Sequence, residues 1–241
     1  MDIELLYAPS HTLARVHLQA GESIRAESGA MAGMSQNVAI TTDGPMAGGG
    51  FFKKLKRAVL SGETFFTNTF TASLMPAEVL LAPPLCGDLV VHTVTPDEGI
   101  IIQGANYVAC PDSVQIDTQF QGFRRFFSGQ SLFFLTASGR GPVLLNGFGA
   151  IEILDLGEPH PDGRGRLVEG DELILDTGHL VAMSTKLDYE VTTVKPGWFA
   201  SYFSGEGFVL RVRGRGRLYV QTRNRDAFGR EVGSALPAKK G

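Results

Sequence analysis

Cysteine is nearly absent from this chain. The two present, Cys86 and Cys110, are too few for a disulfide framework or a zinc cluster. The flanks of both read as strand core, and a reducing cytoplasm is the expected compartment. Histidine is also scarce: His11, His17, His92, His160 and His179 include no His-x-His pair. The metal-binding signature of a cupin barrel is therefore missing, and no metal or cofactor is implied. No stretch approaches the roughly 20 apolar residues of a spanning helix. The segment from Met1 to Ala8 carries acids and no long apolar run, so no signal peptide is expected. A basic surplus is lacking too. The net charge of −3 counts against a generic nucleic-acid binder, while leaving room for a local basic patch. The Gly-x-Ser-x-Gly elbow and the Walker spacing of glycine, lysine and Ser/Thr are both absent. No catalytic constellation emerges, and a non-enzymatic protein is expected.

What is abundant is glycine. Thirty glycines make up about 12% of the 241 residues, against a usual value of roughly 7%. Glycine supplies positive φ at tight turns, so the excess fits many short strands joined by turns. Hydrophobic residues at 43% can fill a core, and charged residues at 20% exclude a disordered chain. Runs such as Val79-Leu80-Leu81, Ile100-Ile101-Ile102, Val143-Leu144-Leu145 and Leu218-Tyr219-Val220 are β-rich and short. The expectation is one all-β domain spanning residues 1–241.

The chain repeats itself. Ser61-Gly62-Glu63, Ser128-Gly129-Gln130 and Ser204-Gly205-Glu206 each follow a stretch of aromatic and basic residues and precede an apolar run. A second echo links Gly21–Ser35, Gly99–Pro111 and Gly170–Ser184. The two sets fit three degenerate β repeats about a pseudo-threefold axis. The expected units run from about 61 to 120, from about 128 to 194, and from 204–225 together with 11–45. The third would then be closed by strand pairing between the two ends of the chain, removing open sheet edges. Gly139-Arg140-Gly141-Pro142 and Gly214-Arg215-Gly216 occupy matching places and read as hairpin turns.

One short amphipathic helix is expected near 51–60. Apolar residues at 51, 52, 55, 58 and 59 share a face, and Lys53, Lys54, Lys56 and Arg57 take the other. Such a helix either lids the sheet or lies on an anionic membrane surface. A second basic run, Arg211, Arg213 and Arg217, could hold phosphates of RNA or lipid; its alternative is a solvated strand face. The repeat-equivalent Glu63, Gln130 and Glu206 could converge to bind a cation, or could cap backbone donors at turns. The second role suits side chains recurring with a fold repeat.

Several of these segments carry a family resemblance. Gly48-Gly49-Gly50, Lys53–Arg57, Ser61-Gly62-Glu63, Leu144-Leu145-Asn146-Gly147-Phe148-Gly149 and Gly170-Asp171 occur in an order similar to that of the altered-inheritance-of-mitochondria family. That family includes bacterial and mitochondrial proteins with a fold like the tryptophan RNA-binding attenuator protein. The resemblance implies three similar sheets around a pseudo-threefold axis and brings no catalytic residues. The expected function is a non-enzymatic binding or scaffold protein, cytoplasmic or peripheral at an anionic membrane surface, with a protein or the membrane as partner. RNA binding through the basic patch is the first alternative, and a small-ligand binder or enzyme with a β-lined cavity is the second. The Arg211–Arg217 stretch has no interleaved aromatics, which lowers the RNA reading. A homo-oligomer is compatible with the repeat.

Overall fold

The computed structural model describes residues 1–43, 67–119, 133–157, 172–192 and 209–236. Nineteen strands and one α-helix lie among them, and the fold is all-β as expected. After an extra strand, β1 (Asp2–Leu6), the chain makes three units of six strands. Unit 1 holds β2 (Leu13–Leu18), β3 (Ser23–Glu27), β4 (Met31–Met34), β5 (Val38–Asp43), β6 (Thr67–Ala72) and β7 (Ala77–Leu81). Unit 2 holds β8 (Gly87–Val94), β9 (Ile100–Gln103), β10 (Tyr107–Pro111), β11 (Val114–Gln119), β12 (Phe134–Gly139) and β13 (Gly141–Phe148). Unit 3 holds β14 (Ile151–Leu156), β15 (Leu173–Asp176), β16 (Leu180–Ser184), β17 (Asp188–Thr192), β18 (Val209–Arg213) and β19 (Gly216–Gln221).

The repeat is present with a different phase from the one expected. Each unit is contiguous, because its first and last strands pair antiparallel with each other: β2 with β7, β8 with β13, and β14 with β19. The second and fifth strands of each unit also pair, as do the fourth and fifth. Closure by the two ends of the chain does not occur among the described residues. β18 and β19 pair with β14, β15, β16 and β17, whereas the N-terminal strands pair within unit 1 and with β10. Echoes at a fixed spacing fix the period of a repeat and leave its starting point open.

Local chemistry explains the strands. In β2, Ala14, Val16 and Leu18 are buried while Leu13, Arg15 and His17 are half-buried, the period-2 alternation of a one-sided strand. β10 and β16 lie inside six-stranded sheets and read as continuous apolar runs. The third strand of every unit meets the sixth through the same irregularity, with register shifts between Met31/Gly33, Tyr107/Ala109 and Leu180/Ala182. An extra residue there bends and twists the strand in each unit. The Gly-Arg-Gly segments are corners rather than hairpins. β12 pairs with β9 and β11, whereas β13 pairs with β8 and β10, so the chain changes sheet at Gly139. Gly139 (φ 107°) and Gly214 (φ 100°) adopt a backbone that only glycine takes readily, and a corner asks for it as much as a hairpin does.

Three core clusters fill the interior and cross unit boundaries. Leu89, Val108 and Leu144 of unit 2 join the unit 1 cluster, and Val181, Ala182 and Tyr219 of unit 3 join that of unit 2. Burying each such aliphatic side chain contributes roughly 1.5–3 kcal/mol. The units are also stitched by sheet, since β3 pairs with β10 and β9 with β16.

The one described helix, α1 (Arg225–Ala235), was not expected from the sequence. The Asn224 side chain caps it, accepting from the Asp226 and Ala227 backbone N–H groups at 2.9 and 3.1 Å. Its first turn sits where equivalent turns of all three units meet. The Arg225 guanidinium donates to the Ala105 carbonyl at 3.0 Å and acts on Glu27, and Asn224 donates to Asp176 at 3.1 Å. Glu27, Gln103 and Asp176 are equivalent strand ends, and their convergence fits three units about a pseudo-threefold axis. The expected helix near 51–60 lies outside the described residues.

Candidate functional site

A polar cleft of about 430 Å³ opens where unit 2 meets unit 3. β8 supplies His92, the link between β8 and β9 supplies Glu98, β14 supplies Asp155, the turn after β16 supplies Lys186, the corner into β19 supplies Arg215, and β19 itself supplies Arg217. The groups form two chains of hydrogen bonds. In the first, Arg217 donates to both oxygens of Asp155, at 2.7 and 3.1 Å, and its charge acts on Tyr219. The Tyr219 oxygen lies 2.8 Å from Nδ1 of His92. In the second, Glu98 accepts from Ser184 Oγ at 2.5 Å and pairs with Lys186 Nζ at 2.8 Å.

These contacts set the charges. Burial holds the His92 imidazole below its ordinary pKa, and Arg217 pushes the same way against Glu98. The imidazole is thus neutral at pH 7. When the Tyr219 O–H donates to Nδ1 of the neutral imidazole, the proton of His92 stands on Nε2. Nε2 is buried and has no partner among the described residues. Lys186, and then Ser184, hold the Glu98 carboxyl below the usual range, and Asp155 holds the Arg217 guanidinium charged. The cleft therefore combines a neutral N–H donor with cations already balanced by acids. That arrangement can accept a small carbonyl or anionic group and contains no activated nucleophile among the described residues.

The residues singled out from sequence fall in different places. Arg211 and Arg213 come together on β18, both on the Glu172 carboxylate, with Arg211 Nη1 at 2.6 Å. Arg217 stands on another sheet and belongs to the cleft. Lys53, Lys54, Lys56, Arg57, Glu63, Gln130 and Glu206 lie outside the described residues. His17 sits between Glu4 and Glu78, and His179 Nδ1 lies 2.8 Å from the Gln221 carbonyl. Among the described residues, no three His, Cys, Asp or Glu side chains are grouped to hold a metal. Both cysteines are free; Cys110 is core, as expected, whereas Cys86 is exposed, because it lies in the link between β7 and β8. Sequence reasoning missed the pairing of His92 with Tyr219, since 127 residues separate them and neither carries a local motif.

A second feature is two edge strands that lack a neighbour their counterparts in the other units have. β4 pairs only with β7, and β15 only with β18, so each leaves one side unpaired among the described residues. Their equivalents in the other units pair on both sides. Met31, Met34 and Ile174 are exposed there, at 39, 40 and 38%. The matching Tyr107, Cys110, Leu180 and Met183 are at most 1% exposed.

Comparison with known proteins agrees with this architecture. The family model for mitochondrial biogenesis AIM24 matches residues 3–223. An uncharacterized protein of Streptococcus pyogenes serotype M6 is 29% identical over 230 residues, covering 93% of this chain and 87% of that protein. The X-ray crystal structure of a Streptococcus pyogenes protein superposes with a TM-score of 0.75 at 25% identity, covering 98% of this chain and 99% of the other. With the match running from the first strand to the start of α1, the chain belongs to the mitochondrial biogenesis AIM24 family.

Proposed function

We propose that this protein is a non-enzymatic binding protein, a scaffold whose working surfaces are strand edges. The observation that supports it is that β4 and β15 each have one side unpaired among the described residues. Exposed main-chain donors and acceptors are a template for an added strand. The charged groups fit the same reading, because Arg211, Arg213, Arg217 and Lys186 each have an acidic partner within the chain. No described helix is long and apolar enough to cross a membrane.

The test is site-specific photo-crosslinking in the producing cells, with the probe at Met34, at Ile174 and, as a control of equal exposure, at Val91. Protein adducts at 34 and 174 and none at 91 are expected. Adducts spread equally over the three positions, or absent from 34 and 174, overturn the proposal.

A second reading is supported by the unpartnered Nε2 of His92. It makes the cleft a site for a small carboxylate or phosphate. Titration with acetate or inorganic phosphate, followed through the His92 ring signals, separates the two: saturable shifts at millimolar ligand favour the cleft, and unchanged signals remove it.

A further inference from the structure

Two of the sheets follow one pattern, and the other two are its separated halves. Each six-stranded sheet runs through the fourth, fifth and second strands of one unit, then the third, sixth and first strands of the next: β5-β6-β3-β10-β13-β8 and β11-β12-β9-β16-β19-β14. What remains is β15-β18-β17 from unit 3 and β1-β2-β7-β4 from unit 1. These are the same two halves, with β1 added at the outer end. The strands that face the missing junction are β15 and β4.

The residues at that junction correspond to those of the other two. β3 meets β10 with Ala26 opposite Ala109, Arg25 opposite Cys110 and Ile24 opposite Pro111. β9 meets β16 with Ile102 opposite Ala182, Ile101 opposite Met183 and Ile100 opposite Ser184. The irregularity shared by β4, β10 and β16 makes Gly33, Ala109 and Ala182 equivalent. Glu27, Gln103 and Asp176 are the equivalent last residues of β3, β9 and β15. Carrying the register across sets Leu175 opposite Gly33, Ile174 opposite Met34 and Leu173 opposite Ser35. That repeats the second junction: a small residue, a methionine and a serine face three branched aliphatics. Met34 and Ile174 are 40 and 38% exposed, whereas Met183 is fully buried. The two strands also lack the charge that protects an open edge. β4 reads Met-Ala-Gly-Met, and the one acid of β15, Asp176, accepts from the Gly178 N–H at 2.9 Å. The outer strands β1, β14 and β17 carry Glu4, Glu152 and Glu190.

The first turn of α1 gathers the adjoining ends of both strands. Asn224 donates to Asp176, the last residue of β15, at 3.1 Å. The next residue, Arg225, donates to the Ala105 carbonyl at 3.0 Å, and its charge acts on Glu27. Directly after Glu27 the chain turns, with the Ala30 N–H donating to the Glu27 carbonyl at 3.2 Å, and β4 begins. In an antiparallel junction the end of β15 meets the start of β4, and those are the ends that α1 brings together.

Resting on the strand-edge reading above and naming its regulation, we infer that β15 and β4 pair with each other within one chain, antiparallel and in the register of the other two junctions, and that this pairing gates the strand edges. Joined, the two strands satisfy each other's main-chain groups and cover Met34 and Ile174. Parted, they offer both edges. A partner strand makes the same kind of bonds as the closed junction, so it binds only by displacing it, and the two states compete.

The full chain tests this in a background where exposed Cys86 is replaced by serine; Cys110 is buried and stays. The double variant Met34→Cys/Ile174→Cys is oxidised mildly in dilute solution. A disulfide within one chain is expected, forming about tenfold or more faster than in Met31→Cys/Ile174→Cys, whose β4 position is as exposed but out of register. Without introduced thiols, Met34→Lys puts a charge into the junction at an exposed site. It is expected to speed amide exchange of residues 173–175 by about fivefold or more, with an unchanged circular dichroism spectrum. The gate is read by photo-crosslinking from position 31 of the 34/174 variant in a cell extract: protein adducts are expected from the reduced form and none from the oxidised form. A 34/174 pair that stays reduced, links only between chains or links no faster than the 31/174 pair overturns the pairing, as does unchanged exchange at 173–175 in Met34→Lys. Adducts that survive oxidation overturn the gate. If the pairing fails while photo-crosslinks from 34 and 174 in cells reach another protein, the strand-edge reading stands without it. If the pairing succeeds and no adducts form in either state, the strand-edge reading falls and the gate falls with it.

Discussion

His92 and Tyr219 meet edge to face across the junction of units 2 and 3, their ring centroids 5.6 Å apart and Nδ1 2.8 Å from the tyrosine oxygen. One bond thereby ties the last strand of unit 3 to the first strand of unit 2. Removing the hydroxyl in Tyr219→Phe keeps the ring contact and leaves a half-buried imidazole nitrogen without its partner. The expected loss is about 1–2 kcal/mol of stability at pH 7.5, read from urea unfolding. The imidazole is held neutral in the folded protein, so the unfolded chain binds its proton more readily. Its contribution is whole above about pH 6.5 and falls as the pH drops below that. His92→Gln is expected to remove this part of the acid sensitivity.

Gly178 leaves room that Asn224 fills. A β-carbon at position 178 would collide with the Asn224 amide. That amide caps α1 and donates to Asp176 at 3.1 Å. Gly178→Ala is therefore expected to act at a distance in sequence, by displacing the cap. A loss of about 1 kcal/mol is expected, with faster hydrogen exchange confined to residues 225–235. Asn224→Ala should reproduce both effects, and combining the two should add little, because they remove the same cap.

Gln221 holds a buried polar knot. Its Oε1 accepts from Asn106 at 3.0 Å and from the Phe148 N–H at 2.9 Å, and its Nε2 donates to the Gly178 carbonyl at 2.8 Å. The residue is 3% exposed. Gln221→Leu keeps the volume and strands two donors and an acceptor. A loss of about 2–4 kcal/mol is expected in chemical unfolding. A smaller loss than in Tyr219→Phe would show that water replaces the amide.

Much of this fold was readable from the chain, and the unread parts have one cause. Short β-rich apolar runs marked strands, and the echo of Gly21–Ser35 in Gly99–Pro111 and Gly170–Ser184 located the second and third strands of every unit. The phase of the repeat was hidden because it depends on which strands pair. The pairing of β2 with β7 joins residues about 60 positions apart. The arginine run was visible, whereas its neutralising acids, Glu172 and Asp155, are 39 and 62 residues away from Arg211 and Arg217. The helix α1 went unread, because Gly229 and Gly233 interrupt it and mask its period. The His92 cleft had no local signal at all, being assembled from both units.

Glu27 gives the pH dependence an opposite sign. Burial raises its carboxyl from 4.5 to about 7, and Arg225 offsets this only in part. A carboxyl whose pKa rises on folding binds its proton more tightly in the folded state. Its contribution is most favourable below about pH 4.5 and is lost as the pH rises through 7. Folding thus works against a half-buried charge at pH 8. Glu27→Gln keeps the shape and removes the titration, so it should stabilise the protein at pH 8 by on the order of 2 kcal/mol and have little effect at pH 4.5. Urea unfolding of wild type and variant at both pH values checks this. Because His92 pulls the other way over the same range, wild-type stability alone hides the effect, and the variant-minus-wild-type difference isolates it. A difference that stays flat from pH 4.5 to 8 would mean that Arg225 turns to pair with the carboxylate and keeps it ionised throughout.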